Sequence, residues 1–388
     1  MTLNRRSFLA TSAAASATLS MPAILKAQPR EFVLGASLPM TGPQRPLGQA
    51  VVPAFKIAQT LFNEEGGITG TPIRFALEDS RSIPQITRAN FLNALANEGR
   101  ALLGFFADST SAMKLITPEL TGERARIMGS LSFSSALADP QNAPYQFVAG
   151  PTYDDQIETL LKQIKSRGGT QIAILYAQTE CGRDPLAFSR ASAAQHGLQI
   201  ALEAACLPRG GNLAAQISQL KKAGVEHCIL HGFAADGLRQ LADAQGEIDP
   251  SMQFYSTFSG MQPSGAVHAI AQAATFQGTM PYRHFEDAPR NSRFQRYAAH
   301  TADLPISALQ ALCSLELMIE AMRRTANAGL ELRADTIAQT LAGITNWDSS
   351  GFFDQPVSVK NNRIATGRIY AFSAEQNRFV PSTDWIST

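Results

Sequence analysis

ALLGFFADSTSAM, residues 101–113, joins an apolar run, Ala101 to Phe106, to a cluster of hydroxyl and carboxyl side chains and then to a helical pattern. A short apolar run closed by polar punctuation reads as a buried strand. Ser or Thr just ahead of apolar residues at helical spacing reads as a helix N-terminus. The stretch is therefore a strand feeding a helix, and its neighbours show whether the unit is repeated.

Upstream, FVLGASL (32–38) reads as a strand, Leu47 to Glu64 as a helix closed by Gly66 and Gly67, PIRFALED as a strand and Ile83 to Glu98 as a helix. Downstream, Thr110 to Gly122 predicts a helix and RIMGSL a fourth strand. After AGPTYDDQ (149–156) the rhythm starts again: helix 156–166, strand QIAILYA, helix 184–196, strand LQIALEAAC, helix 212–223, strand EHCILHGF, helix 234–245 and strand MQFYSTF. Such alternation predicts the α/β class, a parallel sheet with helices on both faces. Its repetition predicts two doubly wound lobes joined by a waist. The segment ALQALCSLELMIEAMRRTANA reads as a long amphipathic helix, and the tail from Phe353 to Val380 as short strands broken by an Asn-Asn turn.

The 388 residues, 45% hydrophobic and 17% charged, are too many for one small core and agree with two domains. The first 27 residues carry Arg5, Arg6 and Lys26 with no acid, and an Ala/Ser-rich, mildly apolar stretch ends at Ala27. Residues 1–27 read as a cleaved twin-arginine export signal, too polar and too short for a membrane span. Without them the chain has 30 basic against 32 acidic side chains, which gives no reason to expect nucleic acid as a partner. The expected mature protein is soluble and exported to the periplasm. Cys181, Cys206, Cys228 and Cys313 are too widely spaced for a CxxC metal or redox motif. Export permits a disulfide, and Cys181 with Cys206 could meet at one sheet edge; four reduced thiols are the other reading.

Open α/β sheets bind ligands beyond the carboxyl ends of their strands. There the third strand presents Asp108, Ser109, Thr110 and Ser111, and the fourth Ser130, Ser132, Phe133 and Ser134. In the second half YAQTECGRD, HGFAAD and STFSG hold the equivalent positions. Two lobes with such loops face each other across a cleft, an enclosed small-molecule site. Ser109 and Thr110 stand where a helix leaves backbone N–H groups unpaired. They could grip an oxygen or an anion, or serve as ordinary N-caps.

The ordered set GASLPMTGP, NEEGGITGTPIRFALEDS, ALLGFFADSTS, YDDQ and LPISALQALCSLELMIEAM resembles the periplasmic substrate-binding proteins of branched-chain amino-acid-type ABC transporters, the type I binding-protein fold. The likeness covers essentially the whole mature chain. It implies a hinged receptor, lobe 1 from 31–150 plus 281–345 and lobe 2 from 151–280 plus 346–388, that closes over one ligand and hands it to an ABC permease in the inner membrane. No cofactor and no catalysis are implied.

In amino-acid-binding members the ligand carboxylate is held by hydroxyls and N–H groups after the third and fourth strands. Ser109 and Thr110 match the first group, and Ser132 in SLSFSS the second, with Phe133 near a usual threonine. The acids that neutralise the ligand ammonium in those members correspond here to Tyr153 and Phe258. Phe233 corresponds to a usual tyrosine and Cys181-Gly182 to a usual Tyr-Gly pair. A buried ammonium without a partner costs several kcal/mol. The resemblance thus implies a carboxylate or amide with an apolar or aromatic body, not an α-amino acid. Arg45 and Arg183 lie in cleft-facing loops and could hold a carboxylate bidentately, or be solvated surface charges. An amino-acid receptor of the same family and a periplasmic sensor subunit stay open.

Rival chemistry is weakly supported. His227 and His231 lie in a strand-like run, where four residues span ~13 Å, too far for one metal ion. No Gly-x-Ser-x-Gly elbow surrounds a serine, and EEGGITG follows a helix and precedes a strand, the reverse of a phosphate-binding loop.

Overall fold

A computed structural model describes residues 30–207, 211–232, 235–248, 251–301, 305–373 and 375–387. The export-signal expectation for residues 1–27 and the site expectation for Phe233 fall outside them. Residues Glu31–Thr388 form one compact unit.

Its first sheet is built from β1 (Phe32–Leu38), α1 (Arg45–Glu64), β2 (Ile73–Asp79), α2 (Pro84–Glu98), β3 (Leu102–Ala107), α3 (Thr110–Ile116) and β4 (Ile127–Ser130). The strands run parallel in the order β2-β1-β3-β4. β1 and β3 are buried at every position, because helices cover both faces; that is why they read as unbroken apolar runs. α3 is shorter than expected. The chain turns 3₁₀ at Thr117–Glu119, where Pro118 brings no N–H to continue the ladder.

The second sheet follows the same plan. It comprises α4 (Tyr153–Ser166), β5 (Gln171–Ala177), α5 (Glu180–Arg183), α6 (Leu186–Gln195), β6 (Gln199–Cys206), α7 (Ala214–Ala223), β7 (His227–His231), α8 (Ala235–Asp243), α9 (Gln245–Ile248), β8 (Gln253–Ser256), α10 (Gly265–Ala273) and β9 (Phe276–Met280). The order β6-β5-β7-β8-β9 is parallel throughout. Two departures have local causes. The helix expected at 184–196 begins only after Pro185, as α6, and a separate short helix, α5, precedes it at Glu180–Arg183. The helix expected from 156 starts at Tyr153, because Thr152 caps it in a reciprocal box with Asp155.

The chain then returns to the first lobe. α11 (Arg293–Thr301) packs on α1, and α12 (Ile306–Asn327), buried along most of its length, packs on α1, β4 and α13 (Ala334–Ala342). Residues 349–351 still touch α11 and α12, so the tail stays with the first lobe past position 346, where the sequence pattern placed the crossing. β10 (Thr366–Ser373) then joins β9 antiparallel, followed by β11 (Arg378–Pro381) and β12 (Ile386–Ser387). Three passages connect the lobes. Val148 pairs with Arg363, and Tyr282 donates from its hydroxyl to the Ala149 carbonyl at 2.7 Å. The Asn361-Asn362 turn is tight, with φ of +48° and +53°, a conformation asparagine tolerates better than most residues.

Candidate functional site

Strand order reverses between β1 and β3 in one sheet and between β5 and β7 in the other. Ligands bind at such switch points, beyond the carboxyl ends of the strands. The predicted site residues that follow β3, β4, β5 and β8 lie there.

The floor belongs to the first lobe. The Thr110 and Ser132 hydroxyl oxygens lie 2.7 Å apart and both side chains are buried. Ser109 is engaged elsewhere, because its Oγ accepts the Ala112 N–H at 3.3 Å as the N-cap of α3 and donates to Asp108 at 3.1 Å. The capping reading thus accounts for Ser109, and Thr110 with Ser132 forms the hydroxyl pair. Asp108, named at this strand end but given no role from the sequence, also accepts from Ser80 and Thr87. Burial raises its pKa despite these hydroxyl donors.

The wall is aromatic and comes from both lobes. The Phe133 ring centroid lies 5.9 Å from that of Tyr153 and 5.3 Å from that of Phe258, and Tyr282 lies 5.9 Å from Phe258. Phe133 is 2% exposed, Tyr153 6% and Phe258 4%. Phe258 points into this cluster, whereas its neighbour Thr257 bonds His231 and Ser259 is exposed. Gln156 fixes that register, its Oε1 accepting the Phe258 N–H at 3.0 Å while its amide donates to the Pro151 carbonyl at 3.0 Å. Tyr282 follows β9, a strand absent from the sequence reading because FQGTM carries too few apolar residues to stand out.

His231, at the start of the strand-end segment HGFAAD and weighed in the sequence only as a metal ligand, closes the second-lobe side. Its ring lies 4.9 Å from Tyr153, Nδ1 is 2.9 Å from Thr257 Oγ1, and Nε2 is 2.9 Å from the Cys181 carbonyl oxygen. Burial pulls its pKa down to about 4, against the opposing influence of the Cys181 carbonyl and Asp184. The ring is therefore neutral near pH 7. A carbonyl only accepts, so Nε2 carries the proton and Nδ1 accepts from Thr257. Burial also raises the pKa of Cys181, which keeps it a thiol with Sγ 3.1 Å from Thr179 Oγ1. All four cysteines are free, the reduced-thiol reading; the alternative Cys181–Cys206 pairing is not formed.

The arginine clamp is not assembled either. Arg45 opens α1 with an exposed side chain. Arg183 is 51% exposed, with its nearest acid, Glu180, 3.8 Å away. Both take the surface-charge reading, since each side chain is exposed to solvent. A cavity of about 370 Å³ lies instead beside the waist, lined by residues including Ser135, Asp139, Asp154, Phe188 and Arg363. It does not include the hydroxyl pair or the aromatic wall, so the convergence of strand ends locates the site better than this hollow does. Among the described residues no group of three or more His, Cys, Asp or Glu side chains could hold a metal ion, and no helix is long and apolar enough to cross a membrane.

A family model described as periplasmic binding protein matches residues 31–378. A search of curated proteins found no match. Solved structures similar to this chain include a branched-chain amino acid ABC transporter protein from Thermus thermophilus with bound valine, 21% identical at TM-score 0.78, with 92% of this chain and 97% of that one covered. Another is a solute-binding protein of an ABC transporter from Rhodopseudomonas palustris BisB5 in complex with 3,4-dihydroxybenzoic acid, 17% identical at TM-score 0.76, covering 92% and 98%. A fatty acid ABC transporter substrate-binding protein from Thermomonospora curvata is 16% identical at TM-score 0.75, covering 92% of each. At these identities the likeness shows the fold: two α/β lobes with parallel sheets.

Proposed function

Because the chain belongs to the periplasmic binding protein family, we propose that it is an exported receptor that closes two lobes over one small carboxylate or amide with an apolar or aromatic body and delivers it to an ABC permease. The observation that carries the ligand class is the neutral wall: Tyr153 and Phe258 are buried against Phe133 and offer no carboxylate to an ammonium. Two nearby acids are already engaged, Asp184 by Lys114 and Ser134 and Asp108 by the Ser80, Thr87 and Ser109 hydroxyls. Thr110 and Ser132 supply hydroxyl donors for the ligand's oxygen-rich head, and the rings enclose its body. Valine and dihydroxybenzoate are both bound by similar structures of this fold, so side chains make the choice. Periplasmic location and export through residues 1–27 belong to the same reading, as does the absence of catalysis.

The test is native mass spectrometry of the gently purified mature protein, then thermal-shift titration with amino acids, aromatic acids, aliphatic acids and amides. An acid or amide without an amine, recovered unchanged and stabilising the protein, supports the reading. Stabilisation by leucine or another free amino acid overturns the ligand class, and a chemically altered ligand overturns the non-catalytic role.

A further inference from the structure

Lys114 projects from α3 of the first lobe to two acids on the second. Its Nζ lies 2.9 Å from Glu180 Oε1 and 2.6 Å from Asp184 Oδ1. The same Asp184 oxygen accepts the Ser134 hydroxyl, again from the first lobe, at 3.0 Å. Asp184 is 6% exposed, Lys114 36% and Glu180 39%, so one end of the cluster is dry and the other wet. Both of these donors to Asp184 come from the opposite lobe, and separation of the lobes removes both.

We propose that Lys114, Asp184, Glu180 and Ser134 form a cross-lobe clasp that holds part of the protein closed before any ligand binds, with Lys114 as a positioning residue acting through Asp184. A carboxylate that is desolvated only in the closed form needs donors supplied by that form, or burying it opposes closure. Lys114 and Ser134 supply them. Burial works against the charge on Lys114, but its bonds to Asp184 and Glu180 outweigh this and hold its pKa above the usual value. The exposed ammonium end is partly screened by water, so the clasp biases the equilibrium without locking it. A ligand then selects from a closed fraction that already exists, and its apparent affinity rises with that fraction. This consequence rests on the receptor reading above, whereas the clasp itself does not.

The experiment is small-angle X-ray scattering of the ligand-free mature chain, paired with thermal denaturation, at low ionic strength and at about 1 M NaCl, where the screening length falls to about 3 Å. Wild type should be more compact at low salt and open as salt rises. Lys114→Met should be open at both salts, with a closed-to-open ratio lower by roughly tenfold, equivalent to about 1.4 kcal/mol. Ser134→Ala should fall between them, and the swapped pair Lys114→Asp with Asp184→Lys should recover compactness. Equal scattering of wild type and Lys114→Met at low salt overturns the clasp, as does a wild-type protein that is fully open without ligand. A lower melting temperature with unchanged scattering assigns Lys114 a purely structural role and equally overturns it. No ligand enters this measurement, so its failure leaves the ligand panel as the separate test of the receptor reading.

Discussion

In the proposed site the Phe133 ring packs edge-on against those of Tyr153 and Phe258, and all three side chains are buried. Phe258→Glu should lose the affinity for non-amine acids and, if folded, gain affinity for a cationic amine, as measured by calorimetric titration with both. Thr110→Val removes one hydroxyl at nearly constant shape. A hydrogen bond to a charged group contributes about 1.5–3 kcal/mol, so roughly a tenfold or greater loss in Kd is expected for a carboxylate ligand. Two histidines carry a pH prediction. Burial holds the pKa of both His231 and His284 down at about 4, whereas an unfolded chain titrates near 6.5. Between those values the unfolded state binds more protons, so stability is full above about pH 6.5 and falls as pH drops through this window toward 4. His231 alone would contribute about 3 kcal/mol at most. Urea titrations at pH 7 and pH 5 should show this loss, and His231→Gln should flatten it. An unchanged slope in the variant would show that the imidazole is not the group being titrated.

The start of α4 shows how an element positions the site. Thr152 accepts the Asp155 N–H at 3.2 Å, and Asp155 Oδ2 accepts the Thr152 N–H at 2.9 Å. Arg363, from the waist, donates Nε to the same carboxylate at 2.8 Å. The cap thus aims Tyr153 into the cleft and ties the helix to the hinge in one network. Thr152→Ala should cost about 1–2 kcal/mol and lower ligand affinity as well, which denaturation and titration of the same variant would separate. Gly150 precedes this cap. A Cβ there would lie 2.8 Å from Phe133 and 3.2 Å from the Tyr282 hydroxyl, so only glycine lets the crossing strand pass beneath the wall. Gly150→Ala should cost about 1–3 kcal/mol through overpacking; a variant as stable as wild type would mean that the rings can move aside.

If the molecule acts as the proposed receptor, its lobes close by bringing together residues that are remote in sequence, so ligand should act on its shape as well as its stability. At a concentration of 100 times Kd a ligand that binds only the native state adds about 2.7 kcal/mol, and the same titration followed by scattering should show a smaller radius of gyration. Alternating strands and helices were legible because each periodicity is local, as in the run Ala101–Phe106 and its counterpart at Gln171–Ala177. β9 was not legible, because FQGTM becomes a strand only through its neighbours on both sides. Thr110, Ser132, Phe133, Tyr153 and Phe258 could be placed at the cleft from their positions at strand and helix ends. Tyr282 and Lys114 could not, and Asp184 and His231 lay in strand-end segments without an assigned role, since what these four do depends on partners 50 or more residues away or on the opposite lobe. For Arg45 and Arg183 the sequence left ligand contact and surface charge both open, and their exposure favours the second: a cleft-side loop does not by itself aim a long, strongly hydrated side chain inward. Sequence alone determined the α/β class, the repeated half and the strand ends where the proposed site lies, because backbone periodicity and turn chemistry act over a few residues. Tertiary structure alone decided which hydroxyl caps and which faces the cleft, which histidine is neutral, and which charges meet across it, because burial and electrostatic pairing are set by the groups that folding brings within a few ångströms.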